Sequence, residues 1–136
     1  AKATLWVSSD SPDTDFTAKL VDVFPDGRAL IVSEGILRTR YREGLAREVL
    51  MEPGTVYPLQ IELGPIAVRF LAGHRIRLKI SSSNAPRYDV NPNTGREIAT
   101  ERNPVPATQR IRHDAAHPSA LILPVIPEKT PGAKGE

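Results

Sequence analysis

Cysteine is absent from all 136 residues. That single absence excludes disulfides, thiolate metal sites and a cysteine nucleophile. Long apolar runs are lacking too. No stretch approaches the roughly 18 residues that cross a bilayer as a helix, and residues 1–7 have neither the length nor the apolar block of a signal peptide. The chain is therefore expected to be soluble, with no membrane partner. Its missing cysteines lean toward a cytoplasmic protein, although many exported bacterial proteins also lack them, so the compartment stays open. Aromatic side chains are few, with one Trp, three Tyr and three Phe. They are not interleaved with basic residues as base stacking requires. A surplus of one charge is also lacking: 18 basic and 16 acidic residues are mixed along the chain for a net +2. No clustered basic footprint exists, and no nucleic-acid partner is expected.

What the sequence does contain is turn chemistry and alternation. There are 13 Pro and 9 Gly, and no stretch sustains a 3.6-residue period. Across residues 56–63, Tyr57, Leu59, Ile61 and Leu63 share one face of an extended chain, with Val56, Pro58, Gln60 and Glu62 on the other. Across 75–82, Ile76, Leu78 and Ile80 oppose Arg75, Arg77 and Lys79. Both read as antiparallel strands with one face buried. Further strands are expected at 3–9, 16–24, 29–33, 35–42, 68–71, 108–113 and 121–126, and a short helical turn at 45–51. Pro25-Asp26-Gly27, Pro53-Gly54 and Ala72-Gly73-His74 punctuate them as turns. Many short, evenly spaced strands point to one all-β sandwich or jelly roll over residues 1–127. Residues 83–106 form a long Asn-, Pro- and Gly-rich loop, longer than the roughly 15 residues that compact domains ordinarily leave without structure. Residues 128–136 read as a polar tail.

A search for chemistry finds little. Nucleophilic catalysis needs a Ser or Thr beside an oriented base, and there is no Gly-x-Ser-x-Gly elbow. His113 and His117 flank Asp114, a pattern open to metal binding or to general-base work. On a non-helical segment they do not face one way, and the plainer reading is a turn capped by Asp114. Asp10, Asp13 and Asp15 cluster within six residues. The spacing lacks the Gly and the final Glu of a calcium loop, so solvated carboxylates in an Asx-type turn are expected, and no metal or cofactor. The rows Arg38, Arg40, Arg42 and Arg75, Arg77, Lys79 each project to one strand face. They read as solvated rows paired with acidic neighbours, or as a wet domain interface, where Arg is favoured.

Three ordered blocks carry a family resemblance. The first is residues 6–23, WVSSDSPDTDFTAKLVDV, followed by Pro25-Asp26-Gly27-Arg28. The second is Gly35-Ile36-Leu37-Arg38 with Tyr41-Arg42. The third is Ala72-Gly73-His74-Arg75-Ile76-Arg77-Leu78, continuing to Ser81-Ser82-Ser83-Asn84 and Asn91-Pro92-Asn93-Thr94-Gly95. Together with His113-Asp114, His117-Pro118-Ser119 and the apolar end, they resemble the C-terminal domain of X-Pro dipeptidyl-peptidase and cocaine-esterase type serine hydrolases. The resemblance spans residues 1–127. It implies a galactose-binding-like jelly roll attached to an α/β-hydrolase domain that holds the whole Ser-Asp-His triad, so no catalytic residue is carried over to this chain. It also implies that the β-domain packs on that catalytic domain and shapes the active-site entrance, and that self-association into dimers is a further expected partnership.

Two departures accompany the resemblance. The family's module begins before the strand that holds Trp6, so a first strand is expected to be missing, leaving an open edge or a gap in one sheet. Ala85 stands where the family commonly has a large aromatic. The candidate interdomain or pocket-facing residues lie on two loops: Asp13, Asp15 and Phe16 on the first, and Asn84, Arg87, Tyr88, Asp89 and Asn91 on the second, since binding groups favour irregular loops. The alternative function is a free-standing carbohydrate- or ligand-binding sandwich. Sugar binding wants exposed aromatic platforms, whereas Trp6 and Tyr57 sit in strand patterns that predict burial.

Overall fold

A computed structural model describes residues 1–127, so the predicted polar tail at 128–136 lies outside the described residues. Seven strands form among the described residues: β1 (Lys2–Ser9), β2 (Asp15–Val23), β3 (Ala29–Arg38), β4 (Tyr57–Glu62), β5 (Arg75–Ser81), β6 (Gln109–Arg112) and β7 (Ala120–Ile122). They make two antiparallel sheets. One has the order β4-β1-β6, with β7 also pairing β1, and the other has the order β3-β2-β5. Sheet pairing is set by the alternation seen in the sequence, because a one-residue slip would turn every apolar side chain outward. Leu5 lies opposite Leu59, and Val7 opposite Tyr57 and Ile111. Leu20 lies opposite Ser33 and Leu78.

The core lies between the sheets. Ala3, Leu5 and Val7 of β1 meet Phe16, Ala18 and Leu20 of β2, with Leu59, Ile61, Leu63 and Met51 completing the cluster. Fully burying a Leu, Ile or Phe side chain contributes about 1.5–3 kcal/mol, so this cluster supplies the main drive to fold. The Pro25-Asp26-Gly27 turn between β2 and β3 behaves as its residues dictate. Gly27 takes φ 89°, the Phe24 N–H donates to Arg28 O at 2.8 Å, and Asp26 accepts from the Arg28 N–H at 3.0 Å.

Several expectations are corrected. Residues 29–38 form one strand rather than two, with its register shifted between Leu20 and Val21 of the partner strand; that irregularity absorbs an extra residue while pairing continues. Residues 68–71 form no strand. The helical turn expected at 45–51 does not form, and a 3-10 turn lies upstream at Thr39–Tyr41. The backbone of 45–51 finds its partners elsewhere: the Val49 N–H donates to Arg40 O at 2.8 Å and the Met51 N–H to Pro12 O at 2.7 Å, while the Arg42 guanidinium donates to the Val49 and Leu50 carbonyls. Neither Trp6 nor Tyr57 is fully buried. Trp6 lies on the outer face opposite Pro58 and Arg112, edge-on to His117 at 5.3 Å.

Ser119 ties the turn after β6 to both of its neighbours. Its hydroxyl accepts from the Trp6 N–H at 2.9 Å and donates to Arg112 O at 2.6 Å. Ser119→Ala leaves both backbone groups without that partner and is expected to cost about 1–2 kcal/mol. Chemical denaturation, with the shift read at constant slope, checks this; an unchanged midpoint would count against the bridge.

Candidate functional site

Two loops that are distant in sequence are joined by a buried ionic cluster at one end of the sandwich. Asp13 is fully buried, and Asp15, Arg40 and Asn91 are nearly so. Asp13 Oδ1 accepts from Thr39 Oγ1 and from the Arg40 N–H, both at 3.0 Å. Asp13 Oδ2 accepts from Arg40 Nε and Asn91 Nδ2, both at 2.8 Å. Asp15 takes a two-pronged contact from Arg38, with Nε and Nη2 each at 2.9 Å, and also accepts from Asn91 Nδ2 at 2.9 Å. Asn91 Oδ1 accepts from the Asn93 N–H at 2.9 Å, which fixes the amide with its nitrogen toward the carboxylates. Two carboxylates and two guanidiniums balance in charge, and most of their polar atoms are satisfied, as buried ions require.

Local structure explains the placement. The β2–β3 register sets Asp15 opposite Arg38. The 3-10 turn then swings Arg40 inward beneath the loop at 10–15. Burial opposes the Arg40 charge, but the Asp13 hydrogen bond and the negative charges of Asp13 and Glu48 outweigh it and raise its pKa. Arg38 is likewise raised, chiefly by its hydrogen bonds to Asp15. Arg42 stacks over the Tyr57 ring at 4.5 Å. The three arginines therefore do not form the solvated row read from their spacing; each is drawn to a separate internal partner once the strand ends at Arg38. The second row behaves otherwise: Arg75, Arg77 and Lys79 are exposed on β5 and make no ion pair among the described residues.

The predicted residues divide into three groups. Asp13, Asp15 and Asn91 come together in the cluster. Phe16 points into the core, 1% exposed, and presents no surface. Asn84, Arg87, Tyr88 and Asp89 lie along the start of the long loop, where Asn84 donates to Glu34 at 2.8 Å and accepts from Lys19 at 2.7 Å. Arg87 pairs with Glu34 at 2.7 Å, and the Asp89 carbonyl accepts from Arg38 at 3.1 Å. Above the cluster these groups open onto a cleft of about 430 Å³ lined by Ile36, Arg38, Tyr41, Leu45, Arg87 and Tyr88. Leu45 projects from it 86% exposed. Arg38, Arg40, Thr39 and Leu45 were not singled out from the sequence as site residues. The one signal for Arg38 and Arg40 was their alternation, which matches the Asp13, Asp15 spacing across the hairpin.

The remaining acidic and histidine features are structural. The Asp13 and Asp15 oxygens are already taken by guanidinium and amide donors, which leaves the calcium option no free ligand set. Asp114 accepts from the Ala116 and His117 N–H groups at 3.0 and 2.9 Å and from His117 Nδ1 at 2.9 Å, a capped turn. His74 Nδ1 contacts both Asp22 oxygens at 2.8 and 3.0 Å and packs on Phe24. Among the described residues, no Ser or Thr hydroxyl is hydrogen-bonded to either histidine.

Asp10 holds the far end of the long loop, accepting from the Thr108 N–H at 2.7 Å. That backbone bond, above all, lowers its pKa below the ordinary 3.8. A carboxyl depressed in the folded state contributes stability above the unfolded value and loses it as pH falls through the folded value. The melting temperature is therefore expected to drop as pH falls below about 4, and Asp10→Asn to flatten part of that drop. A thermal melt series from pH 6 to 2.5 with parallel slopes in both proteins would sink this assignment.

Residues 1–122 match the family described as "X-Pro dipeptidyl-peptidase C-terminal non-catalytic domain". The chain is 51% identical over 126 residues to the cocaine esterase of Rhodococcus sp. (strain MB1 Bresler), covering 91% of this chain and 22% of that protein. Among solved structures it resembles an aminopeptidase from a marine sediment archaeon, Thaumarchaeota archaeon, at TM-score 0.83 and 34% identity, over 87% of this chain and 21% of that one. It also resembles an α-amino acid ester hydrolase, at TM-score 0.80 and 31% identity, again over 87% and 21%. The chain thus spans about a fifth of the length of the relatives it matches. These matches agree with the hydrolase-domain reading and not with the free-standing sugar-binding module.

Proposed function

This chain belongs to the X-Pro dipeptidyl-peptidase C-terminal non-catalytic domain family, and from that premise we propose that it is the closing β-domain of a longer α/β-hydrolase-type serine hydrolase, which it helps to shape at the active-site entrance. The catalytic triad belongs to the rest of that polypeptide, and the substrate is an ester or an X-Pro peptide bond. One observation carries the placement of the contact: the Asp13–Arg40 and Asp15–Arg38 pairs, bridged by Asn91, clamp two loops into a fixed platform. On that platform sits a cleft with an unburied Leu45 and two tyrosines flanked by arginines. Aromatic and Arg side chains around an exposed apolar anchor are the composition that domain interfaces favour.

The test has two parts. The 136-residue chain is expected to show no turnover of p-nitrophenyl esters or X-Pro anilides, while the longer polypeptide encoded by its gene hydrolyses one of them. In that longer protein Leu45→Glu is expected to lower kcat/KM about tenfold, the factor that about 1.4 kcal/mol represents, while leaving the isolated domain folded. Hydrolysis by the chain alone, abolished by a Ser substitution, would overturn the non-catalytic role. Unchanged kinetics in the Leu45→Glu hydrolase would move the contact to another face.

A further inference from the structure

Leu45, 86% exposed, stands at the tip of a closed loop. The Val49 N–H donates to Arg40 O at 2.8 Å and the Gly44 N–H to Tyr41 O at 3.0 Å, and Gly44 turns the chain at φ 121°. Residues 40–49 therefore leave and rejoin the domain at one point, as compact Ω-loops do. Arg42 fixes the base, its guanidinium donating to the Thr39, Val49 and Leu50 carbonyls. Glu43 stays within the loop, paired with Arg42 at 3.4 Å and Arg47 at 3.2 Å. Glu48 instead reaches out to the buried ionic cluster. Its Oε1 accepts from the Tyr41 hydroxyl at 2.6 Å and its Oε2 from Arg40 Nη1 at 3.3 Å, while Arg40 Nε holds the buried Asp13. The Glu48 side chain is 50% exposed. Solvent protons reach this carboxylate without unfolding the domain, whereas Asp13 is sealed from them.

We infer that Glu48 is a positioning residue whose carboxylate latches the Leu45 loop onto the ionic cluster, and that a proton gained there releases Leu45 from the orientation in which it meets the catalytic part. The inference rests on the proposed contact at Leu45, and it adds what holds that contact in place and what loosens it. Charge-assisted hydrogen bonds are roughly twice as strong as neutral ones. A protonated Glu48 forfeits the Arg40 ion pair and keeps only a neutral bond to Tyr41. The Tyr41 hydrogen bond, ahead of the Arg40 charge, holds the Glu48 carboxyl below its ordinary 4.5, and the same bond pushes the Tyr41 hydroxyl above its ordinary 10.0. A carboxyl lowered in the closed loop contributes its hold above the value it takes on release, and loses it as pH falls through the lowered value. On the alkaline side, loss of the Tyr41 proton would leave two anions in contact. Other charges face Glu48 as well. Asp13 lies behind Arg40 and opposes the Glu48 charge. Across a cleft of about 640 Å³ stand Arg38 and, from the long loop, Asp89, Glu97, Glu101 and Arg102. Glu101 is held by Arg96 and by the Asn103 N–H. The side chains from the long loop make no bond to residues 41–48 among the described residues, so their titration changes the field at Glu48 without replacing a bond of the latch.

Backbone NMR relaxation on the 136-residue chain tests the latch. Order parameters of residues 43–47 are expected near about 0.85 at pH 6 and below about 0.6 at pH 3, while those of β1 and β2 keep their values. Glu48→Gln keeps an acceptor for Tyr41 but offers Arg40 no charge, so its loop is expected to be loose at both pH values. Glu43→Gln is expected to follow the wild type. Glu48→Ala at pH 6 reads the same release without acid, with the strands again unchanged. A loop as ordered in both Glu48 variants as in the wild type at pH 6 would overturn the inference, as would an acid loosening that persists undiminished in Glu48→Gln. In the longer polypeptide Glu48→Gln is expected to lower kcat/KM about threefold at neutral pH, and the ratio of variant to wild type to approach one as pH falls. These arms separate the two readings. A loosened loop with unchanged kinetics in both Glu48→Gln and Leu45→Glu sinks the proposed contact, and with it the positioning role. A kinetic loss in Leu45→Glu beside an undisturbed loop in the Glu48 variants sinks the latch alone.

Discussion

Gly35→Ala is expected to unfold a large fraction of this domain's stability reserve, by about 3–5 kcal/mol, above the 1–3 kcal/mol usual for overpacking. Gly35 is not among the positive-φ glycines, so the need for glycine is one of space. A β-carbon added there falls far inside the van der Waals contact distance of the Glu62 carbonyl oxygen, 3.0 Å from that carbonyl's carbon and 3.2 Å from Ile61 Cγ2. The obstructing atoms are backbone of the facing strand β4, which cannot swing aside as a long side chain does. Relief would require the two sheets to part along the one side where they are in direct contact, exposing Leu63 and Ile61, which are fully buried. Gly54→Ala provides the contrast: its added carbon meets nothing within 4 Å, and its cost comes only from the positive φ of 83°. Urea denaturation of both variants checks this. A Gly35→Ala midpoint no lower than that of Gly54→Ala would show that the β3–β4 closure is not as tight as described.

Arg40→Leu is expected to cost about 3–5 kcal/mol, the range for breaking a buried pair from one side. In a domain of this size that lowers the melting temperature by roughly 10–15 °C. The loss arises because the fully buried Asp13 side chain would lose its ion-pair partner and be left with only the Thr39 hydroxyl, the Asn91 amide and the backbone N–H of residue 40 as donors. Arg40 Nη2 also donates to Arg96 O at 2.8 Å, so the long loop would lose an anchor, and its amides around residue 96 are expected to exchange faster. The double variant Arg40→Leu/Asp13→Asn removes both charges and is expected to recover part of the loss, since contacting residues couple. Arg28→Leu, at the exposed Arg28–Asp26 pair, is expected to be near neutral. A cost for Arg40→Leu no greater than that for Arg28→Leu would contradict the buried network.

These two positions show where sequence reading reached its end. Alternation in 56–63 and 75–82 is a local property, and it placed β4 and β5 because a strand with one buried face must repeat every two residues; Leu59, Ile61 and Leu63 are buried as read, whereas Ile76, read as inward, is 50% exposed. The turn at Pro25-Asp26-Gly27 was equally legible, since Pro and Gly restrict φ within the turn itself. The fused strand at 29–38 was not, because its irregularity depends on pairing with β2 rather than on any residue within it.

For the candidate site the division is similar. Asp13, Asp15 and Asn91 were singled out by the polar, irregular composition around them, although Asp15 opens β2 rather than lying in a loop. What those residues do was hidden, because Asp13 and Arg40 are 27 positions apart and Asn91 lies 78 positions beyond Asp13. No local pattern tells a solvated arginine from a buried one; the difference is made by where the 3-10 turn points the side chain and by which carboxylate waits there.

By itself, then, the sequence determined the all-β class, the inward face of β4, the absence of a nucleophile elbow and, through its ordered motifs, the family. Those are properties of residue order, carried by short-range sterics and by the period of burial. Only the tertiary structure decided that one side of the sandwich is closed by Gly35, that the Arg38–Arg42 row turns inward, and that Phe16 belongs to the core. Each of these depends on which distant backbone or charge comes within a few ångströms, and that is fixed only when the two sheets pack.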